Sequence, residues 1–320
     1  MALAAFAAPT LVMGALFSLL CRRVGQTPGM RLGTAIALNT LGAALAPALL
    51  GVLTLPLLGP KWALLLVSGA YLSLIPASCW GRYWVTLPGV TCFLMAVGTP
   101  ALRFIEQPEG SRLISYADGV MASVSVVEDA SGVRRLRIDN RQQEGSNASM
   151  MTDARQAQLP LLLHPAPHKV LFLGLGTGLT AASAATDPTL DVTAVELLPE
   201  VIDASQHFMS ALDRQTLPPG LHIIAADARR QVRTTPERYD VIIADLFHPA
   251  RSGAGSLYTV EHFQAIRSHL KQDGLFCQWV ALHQLDLATL RSIIRSFLAV
   301  YPDGTALLAT NSLQTPVLGL

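Results

Sequence analysis

Three glycines at alternate positions, Gly174, Gly176 and Gly178, follow an apolar run and precede an alanine-rich segment. This pattern is typical of a strand, a tight loop and a helix N-terminus that together hold a nucleotide-like ligand. Glycine lets the backbone approach such a ligand where a Cβ atom would collide with it. The next apolar run ends in Glu196, 18 positions after Gly178. An acidic side chain at about that distance suits the hydroxyls of a ribose.

The residue that follows the loop indicates which class of nucleotide it favours. A dinucleotide fingerprint has a third glycine three positions after the second, where the helix packs on the strand. Leu179 occupies that position here. The pattern therefore favours an adenosyl ligand without a pyrophosphate, of the S-adenosylmethionine class, over NAD.

The elements that must position this loop alternate between strand-like and helix-like segments. Predicted strands cover 192–195, 221–226, 240–244 and 275–280, predicted helices cover 260–270 and 286–299 (the latter capped by Asp286), and 306–309 with 317–318 close the sheet. This rhythm predicts an α/β fold, a doubly wound, mostly parallel sheet of the S-adenosylmethionine-methyltransferase-like Rossmann type. Ligands bind at the carboxyl ends of the strands in such sheets. Glu196, Asp227 and Asp245 are therefore expected on the same rim as the glycine loop.

The first hundred residues differ from the rest in charge. Six Lys or Arg residues and no Asp or Glu precede Glu106, whereas 17 basic and 22 acidic residues lie from there onward. Four apolar runs, 2–20, 32–60, 62–81 and 83–102, each approach the roughly 20 residues that span a bilayer. We predict an all-α transmembrane region over 1–105 with three or four spans. The alternative, the buried helical core of a soluble protein, fits poorly with the lack of acidic residues.

The segment between these two parts has the period of β-structure. Residues 112–138 alternate as strands do, with a turn at 129–132, and predict a hairpin that ends at Asp139 and Asn140. Residues 141–158 are polar and are interpreted as a loop leading into a short helix, placed to cover the pocket. The predicted domains are the membrane region, a small β segment with a lid loop over 106–158, and a Rossmann-like nucleoside-binding catalytic domain over 159–320.

Composition limits the partners that this chain could bind. The formal net charge is +1 and no basic cluster is interleaved with aromatic residues, so nucleic acid is not an expected partner. The four cysteines are scattered and lack the spacing of metal ligands, so no metal site is expected.

The glycine loop and the segments around it resemble the spermidine synthase (polyamine aminopropyltransferase) family. The resemblance runs from about residue 112 to the end, and it includes Asp227-Ala228, Asp245 to Pro249, Gly255 to Tyr258 and Gly274 to Gln278. The chain is most similar to the bacterial branch in which this domain follows a transporter-like membrane region. The resemblance implies a transferase that moves an aminopropyl group from decarboxylated S-adenosylmethionine to a small-molecule amine, with no tightly bound cofactor.

The same resemblance implies roles for individual residues. In the family, the glycine loop and the acidic residue after the next strand hold the adenosine, and an Asp at the end of the fourth strand is catalytic. The residues that correspond here are Gly174, Gly176, Thr177, Gly178 and Glu196 for the adenosine, Asp227 and Ala228 for the adenine, Gln143 in the lid, Asp245 for catalysis, and His248 and Tyr258 for the substrate.

Several carboxylates of the family are replaced in this chain. The loop Asp that grips the aminopropyl ammonium is Thr177, and the second Asp of the family's Asp-x-x-Asp run is His248. The Asp-Glu and Tyr of the lid fall on Ala148, Ser149 and Thr152. The adenosine half of the site is therefore kept, while the amine half has lost most of its carboxylates. Two alternatives stay open: an S-adenosylmethionine-dependent methyltransferase, or a non-catalytic nucleoside-binding domain attached to a membrane protein.

The orientation in the membrane depends on the number of spans. Arg22, Arg23 and Arg31 make the first loop the most basic, which favours a cytoplasmic position for it. Four spans would then place the soluble domain outside the cell. Because an adenosyl sulfonium is made inside cells, the chemistry predicts a cytoplasmic catalytic domain and hence three true spans. The expected protein is a multi-pass protein of the bacterial inner membrane, with the bilayer as a partner and homodimerisation left open.

Overall fold

The structure is a computed structural model that describes residues 2–26, 31–75, 77–103, 105–140, 142–247, 253–309 and 315–320. The chain divides into two compact units, Met1–Leu102 and Arg103–Leu320. The predicted boundaries at 105 and 158 stay predictions, since this division tests neither of them.

The first unit is helical. Its helices are α1 (Ala2–Gln26), α2 (Leu32–Ala46), a π-helix (Pro47–Thr54), α3 (Leu55–Ser73), α4 (Ala77–Trp80) and α5 (Tyr83–Gly98). From α2 to α3 the helical segment continues over Leu32–Ser73, and its most apolar window has a mean hydropathy of 2.1. Within the described part of the chain this is the one helix long and apolar enough to cross a membrane, and Thr86–Gly98 is a shorter apolar helix. The expectation of three or four spans stays a prediction.

The long helical segment of the first unit is interrupted at Gly59. This glycine has a φ of 80° and is followed by Pro60, which lacks the backbone N–H that a continuing helix would use. Two residues later, the Nζ of Lys61 donates hydrogen bonds to the carbonyl oxygens of Val97, at 2.7 Å, and Thr99. A cation therefore satisfies carbonyl groups at the C-terminal end of α5, where the helix leaves them without backbone donors.

The second unit begins with a four-stranded antiparallel sheet. Its strands follow one another in space as in sequence: β1 (Arg112–Asp118), β2 (Ser123–Glu128), β3 (Arg134–Ile138) and β4 (Gln142–Ser146). The interpretation of 141–158 as a loop was wrong for β4. Asp139 and Asn140 both have positive φ, 51° and 55°, which makes the tight turn that returns the chain onto β3. Because β4 contains no apolar residue, no alternation revealed it.

A seven-stranded sheet follows, as predicted. Its strands are β5 (Lys169–Leu173), β6 (Asp191–Glu196), β7 (Leu221–Ala225), β8 (Tyr239–Ala244), β9 (Leu270–Ala281), β10 (Leu307–Leu308) and β11 (Val317–Gly319). Their spatial order is β10-β11-β9-β8-β5-β6-β7. The five strands from β9 to β7 are parallel, and β11 and β10 are antiparallel at one edge. The predicted doubly wound, mostly parallel sheet is confirmed.

In the described part of this unit, six helices cover the two faces of the sheet: α6 (Met150–Leu163), α7 (Leu179–Ala184), α8 (Pro199–Ser205), α9 (Ala228–Thr234), α10 (Val260–Ser268) and α11 (Leu287–Leu298). The first three contribute to one apolar cluster and the last three to the other. The predicted cap of α11 is present, since Asp286 Oδ1 accepts a hydrogen bond from Thr289 N at 2.7 Å.

The two central strands fix the position of the site. All of β8 is buried, and Leu171 and Phe172 of β5 pack into opposite clusters, so both strands are apolar on both faces. Their hydrogen-bond ladder continues one residue past β8, where Asp245 N donates to Leu173 O at 2.9 Å. The burial of these strands therefore places Gly174 and Asp245 side by side at the carboxyl rim.

Candidate active site

The glycine loop depends on its glycines for two different reasons. Gly174 has a φ of 95°, and a Cβ atom there would lie 3.2 Å from the Cβ of Asp245. Gly178 has a φ of 78°, and its Cβ would lie 3.2 Å from the Cβ of Ser205 on α8. The first contact keeps the loop close to the carboxylate, and the second keeps the start of α7 close to α8. Both positions need a residue that tolerates positive φ and has no side chain.

The segment predicted as a lid lies across this loop. A Cβ atom on Gly145 of β4 would lie 2.8 Å from Cγ2 of Thr177, and one on Gly176 would lie 3.5 Å from the carbonyl oxygen of Glu144. Thr177 is only 5% exposed. The position at which the resembling family has a loop carboxylate is therefore a buried threonine whose methyl group contacts the backbone of β4.

Glu196 fastens the base of the loop. Its Oε2 accepts hydrogen bonds from Leu175 N at 3.1 Å and Gly176 N at 3.5 Å, and its Oε1 accepts one from Leu198 N at 3.0 Å. Glu196, the residue predicted to bind the ribose, thus lies at the end of β6, directly behind the glycine loop. Its carboxylate is held by backbone N–H groups on both sides, which fixes its orientation.

The predicted adenine residues lie one strand further along the rim. Asp227 is exposed, and its Oδ1 caps α9 by accepting hydrogen bonds from Arg229 N at 2.8 Å and Arg230 N at 3.2 Å. Ala228 is the first residue of that helix. The capping bonds position the Asp227 carboxylate at the end of β7.

Asp245 is another carboxylate beside the loop. Its Oδ2 would lie 4.0 Å from a Cβ on Gly176, and its Oδ1 accepts a hydrogen bond from Leu246 N at 2.8 Å. Burial raises the pKa of this carboxyl to about 6, and the negative charge of Glu196 adds to the rise, while the Leu246 hydrogen bond opposes it. A carboxylate with such a pKa is ionised at pH 7 and still basic enough to accept a proton.

A second carboxyl that the sequence analysis did not single out is coupled to Asp245. Asp153 lies in the first turn of α6, and its Oδ2 accepts a hydrogen bond from Ser149 Oγ at 3.0 Å. Burial raises its pKa to about 7, and the charge of Asp245 contributes to the increase. An acidic residue in the first turn of a helix is common because it complements the helix dipole. Nothing in the sequence indicated that this one approaches a residue 92 positions away.

Tyr258 supports the segment that carries Asp245. It is buried, and its hydroxyl donates a hydrogen bond to Phe247 O at 2.9 Å. Burial raises the pKa of its phenol, and the Asp245 charge raises it further. The backbone of Gln143 lies in β4 opposite Arg137, but its side chain is outside the described residues. His248 is also outside them.

The structure therefore brings one set of predicted residues together and leaves another set apart. Gly174, Gly176, Thr177, Gly178, Glu196 and Asp245 meet at the carboxyl ends of β5, β6 and β8. Asp227 and Ala228 follow β7, on the far side of β6. The arrangement combines a close-approach loop with carboxylates of raised pKa. It can hold an uncharged nucleoside, attract a cation and accept a proton.

A family described as the spermine/spermidine synthase domain matches residues 153–310. The matched region, just under half of the chain, is similar to that domain. The polyamine aminopropyltransferase of Thermotoga maritima is 29% identical over 162 residues, which cover 46% of this chain and 55% of that protein. The polyamine aminopropyltransferase of Methanocaldococcus jannaschii is 28% identical over 167 residues, covering 51% and 57%. The chain thus spans little more than half the length of these relatives.

Solved structures of the spermidine synthase family share the fold of this domain. A spermidine synthase in complex with the transition state analogue AdoDATO superposes with a TM-score of 0.56 and 24% identity, covering 65% of this chain and 73% of that one. The spermidine synthase of Thermotoga maritima superposes with a TM-score of 0.55 and 23% identity, covering 65% of this chain and 72% of that one. At these identities the likeness shows the fold.

A second family, described as Peptidase M50B-like, matches residues 24–166. The matched residues contain one histidine, His164, so the H-E-x-x-H motif of zinc peptidases is absent from them. Together with the apolar helix Leu32–Ser73, this match is consistent with a membrane-associated N-terminal region.

Proposed function

We propose that this protein is a membrane-attached, spermidine synthase-like aminopropyltransferase. It transfers the aminopropyl group of decarboxylated S-adenosylmethionine to an amine acceptor. The observation that carries the proposal is the position of Asp245, a carboxylate of raised pKa held beside Gly174, in a domain of the spermine/spermidine synthase family.

The reaction needs a neutral amine. The amine lone pair forms a bond to the propyl carbon next to the sulfonium, the carbon–sulfur bond breaks, and the electron pair of that bond neutralises the sulfur as methylthioadenosine leaves. An alkylamine with a pKa of about 10.4 is almost wholly protonated at pH 7, so the acceptor must first lose a proton. Asp245 accepts that proton as a general base. Its raised pKa makes this transfer less unfavourable than it would be to an ordinary carboxylate.

The donor is held by the glycine loop and the ends of the next two strands. Gly174, Gly176 and Gly178 let the nucleoside approach the backbone, Thr177 lies at the turn, and Glu196 binds the ribose hydroxyls. Asp227 and Ala228 form the adenine end, and Gln143 contacts the donor from the lid. Because the donor arrives as a co-substrate and leaves as methylthioadenosine, no tightly bound cofactor is required.

The acceptor binds on the Asp245 side of the loop. Tyr258 and His248 line this part of the site in the proposal, and the carboxylates Asp245 and Glu196 supply the negative potential that a cationic amine requires. Thr177 cannot bind an ammonium as a carboxylate does. The acceptor side therefore differs from that of a standard family member.

The N-terminal region attaches the enzyme to the membrane. We place residues 1–105 in the bacterial inner membrane as a multi-pass region, residues 106–158 as the β segment with its lid, and the catalytic domain over 159–320 in the cytoplasm. The support is the apolar segment Leu32–Ser73 together with the cytoplasmic origin of the sulfonium donor. A homodimer is compatible with this arrangement and is left open.

The experiment measures ligand binding and product with the full chain in detergent. We expect the protein to bind decarboxylated S-adenosylmethionine and to release methylthioadenosine when amines are present. Asp245→Asn should reduce the turnover by about 10²–10⁴-fold, the usual contribution of a general base. The matched control is Asp203→Asn, which changes an exposed carboxylate of α8 and should leave turnover unchanged. S-adenosylhomocysteine as the product would instead show a methyltransferase, and binding without product a nucleoside-binding domain.

The pH dependence gives a second test of the base. Since Asp245 must be ionised to accept a proton and its pKa is raised to about 6, the turnover should fall as the pH decreases through 6. A fall in turnover near pH 4 instead, the ordinary pKa range of a carboxyl, would contradict the assignment of Asp245 as the base.

A further inference from the structure

Asp153 is a partly buried carboxyl that the transfer reaction as described leaves without a role. It belongs to α6, which packs its apolar side on the sheet through Ala157 and Leu161 and accepts a hydrogen bond from Trp279 Nε1 at Gln156 O, 3.0 Å long. This packing anchors the helix, so its first turn has a fixed position beside the carboxyl ends of the strands.

The lid that precedes α6 brings this turn to the glycine loop. Gly145 lies against Thr177, and Glu144 lies against Gly176, on the side where Asp245 Oδ2 also approaches. Ser149 then closes a capping box with Ser146 and donates its hydroxyl to Asp153 Oδ2. The chain therefore passes directly from the lid into α6. The hydrogen bond from Ser149, at the start of this helix, orients the Asp153 carboxylate.

The charged group that acts on Asp153 is another carboxylate. The charge of Asp245, at the end of β8, raises the pKa of Asp153, the charge of Glu196 raises that of Asp245, and the charge of Asp245 raises that of Tyr258. On β9, the thiol of Cys277 is buried and its pKa is raised to about 12, so it is neutral. The helix α7 carries no titratable side chain. Among the described residues, no cation contributes to the raised pKa of Asp153 or of Asp245.

We propose that Asp153 and Asp245 together bind the primary ammonium group of a substrate, and that Asp153 replaces the loop carboxylate that Thr177 lacks. This inference rests on the proposed transferase function. Two substrates carry such a group: the aminopropyl end of the donor and the reacting end of the acceptor. Both present the same chemistry, a cation with three N–H donors, to the same pair of carboxylates.

The physical reason is that like charges close together in a half-buried site resist ionisation until a cation arrives. An ammonium between the two carboxylates makes charge-assisted hydrogen bonds to both and lowers the free energy of their ionised forms. When the acceptor is the bound ammonium, one proton passes from its nitrogen to a carboxylate of the pair, and the resulting neutral amine attacks the donor. Charge is conserved, since an ammonium and a carboxylate become an amine and a carboxylic acid.

The experiment compares three ligands with the full-length wild-type protein, Asp153→Asn and the exposed control Asp203→Asn. The ligands are decarboxylated S-adenosylmethionine, methylthioadenosine, which lacks the ammonium, and 1,4-diaminobutane in the presence of methylthioadenosine. In Asp153→Asn we expect the affinity for one or both ammonium-bearing ligands to fall by about tenfold or more, as for loss of a charge-assisted hydrogen bond. The affinity for methylthioadenosine should stay within about twofold, because its contacts do not include Asp153.

The ligand that loses affinity identifies the source of the ammonium. A loss confined to decarboxylated S-adenosylmethionine assigns Asp153 to the donor, and a loss confined to the diamine assigns it to the acceptor. Unchanged affinity for both would overturn the inference, and so would an equal loss for methylthioadenosine, which would show a structural role.

Calorimetry in buffers of different ionisation enthalpy measures the protons released on binding. It tests the pair of Asp153 and Asp245 without any variant. Because the pKa of Asp153 is about 7, binding of an ammonium at pH 7 should release about half a proton and at pH 9 almost none. No release at pH 7 would contradict the inference. If wild type and Asp153→Asn produce methylthioadenosine at equal rates and with equal KM, the role of Asp153 is refuted and the transferase function is not. If the ammonium binds with proton release but no product forms, only the transferase function is refuted.

Discussion

The donor half and the acceptor half of the proposed site are built in different ways. The donor half consists mainly of backbone: a loop that needs Gly174 and Gly178 for their positive φ and for close contacts, and a carboxylate, Glu196, held by backbone N–H groups. The acceptor half consists of side chains from distant segments, with Asp153 on α6 and Asp245 after β8. The donor half can therefore tolerate little change in shape, whereas the acceptor half can exchange one carboxylate position for another.

This difference explains how the chain departs from the family that it resembles. A loop built on backbone geometry loses its shape with a single added Cβ, so its glycines are retained. A cation needs negative charge at the right distance, and side chains from several elements can supply it. In our proposal, the neutral Thr177 has lost the carboxylate and the partly buried Asp153 supplies one in its place.

The largest effect on the donor half is expected from Gly174→Ala. The new Cβ would lie 3.2 Å from Asp245 Cβ and 3.4 Å from Phe247 Cε1, at a φ of 95°. We expect a loss of roughly 2–3 kcal/mol in the free energy of unfolding from backbone strain and crowding together, and a loss of nucleoside binding. Gly132→Ala is the control, since its φ is 81° with no atom within 4 Å. Equal losses in the two variants would show that crowding at the loop contributes nothing.

Glu196→Gln tests whether the donor half also depends on charge. An amide has one acceptor oxygen, so it cannot accept from the N–H groups of both Leu175 and Leu198 as the carboxylate does. We expect the affinity for methylthioadenosine to fall by about tenfold, with a smaller change in thermal stability. An unchanged affinity would remove Glu196 from the ribose site and leave it as a support of the loop.

Thr177→Asp should restore the loop carboxylate that the family has at this position. A carboxylate at this position would attract the ammonium of the decarboxylated donor and repel the carboxylate of intact S-adenosylmethionine. The ratio of the two affinities should therefore rise by about tenfold in favour of the decarboxylated donor. Thr177→Asn, which has a similar size and no charge, is the matched control. A ratio that changes equally in both variants would contradict an electrostatic origin.

The last effect concerns stability rather than binding and comes from Asp153→Asn without ligand. The pKa of Asp153 is raised from 3.8 to about 7, so the folded state binds this proton more tightly than the unfolded state. The stability due to it is complete below pH 4 and is lost as the pH rises through 7. The variant avoids that loss and should be more stable than wild type by roughly 1–3 kcal/mol at pH 8, with a smaller difference at pH 5. Urea unfolding at both pH values measures this, and a difference independent of pH would contradict it.

The regular parts of the fold follow from local patterns. The apolar runs of β5 and β8, the alternation of strand and helix, and the cap at Asp286 are properties of short segments, and the structure has them where the sequence predicts them. β4 escaped prediction because its five residues are polar and its pairing depends on the turn at Asp139 and Asn140. A strand that is specified by its neighbour carries no periodic signal of its own.

The sequence alone determined the strand, the glycine loop and the position of Glu196 behind it, because glycine spacing, an apolar strand and a terminal acid are local features whose geometry the backbone dictates. It also determined that the first hundred residues are apolar and lack acidic groups. Only the tertiary structure placed Asp153 near Asp245 and buried Thr177 beneath β4. Those relations depend on which distant segments pack together. The shifts in pKa depend on them too, since burial and the field of neighbouring charges exist only in the folded chain.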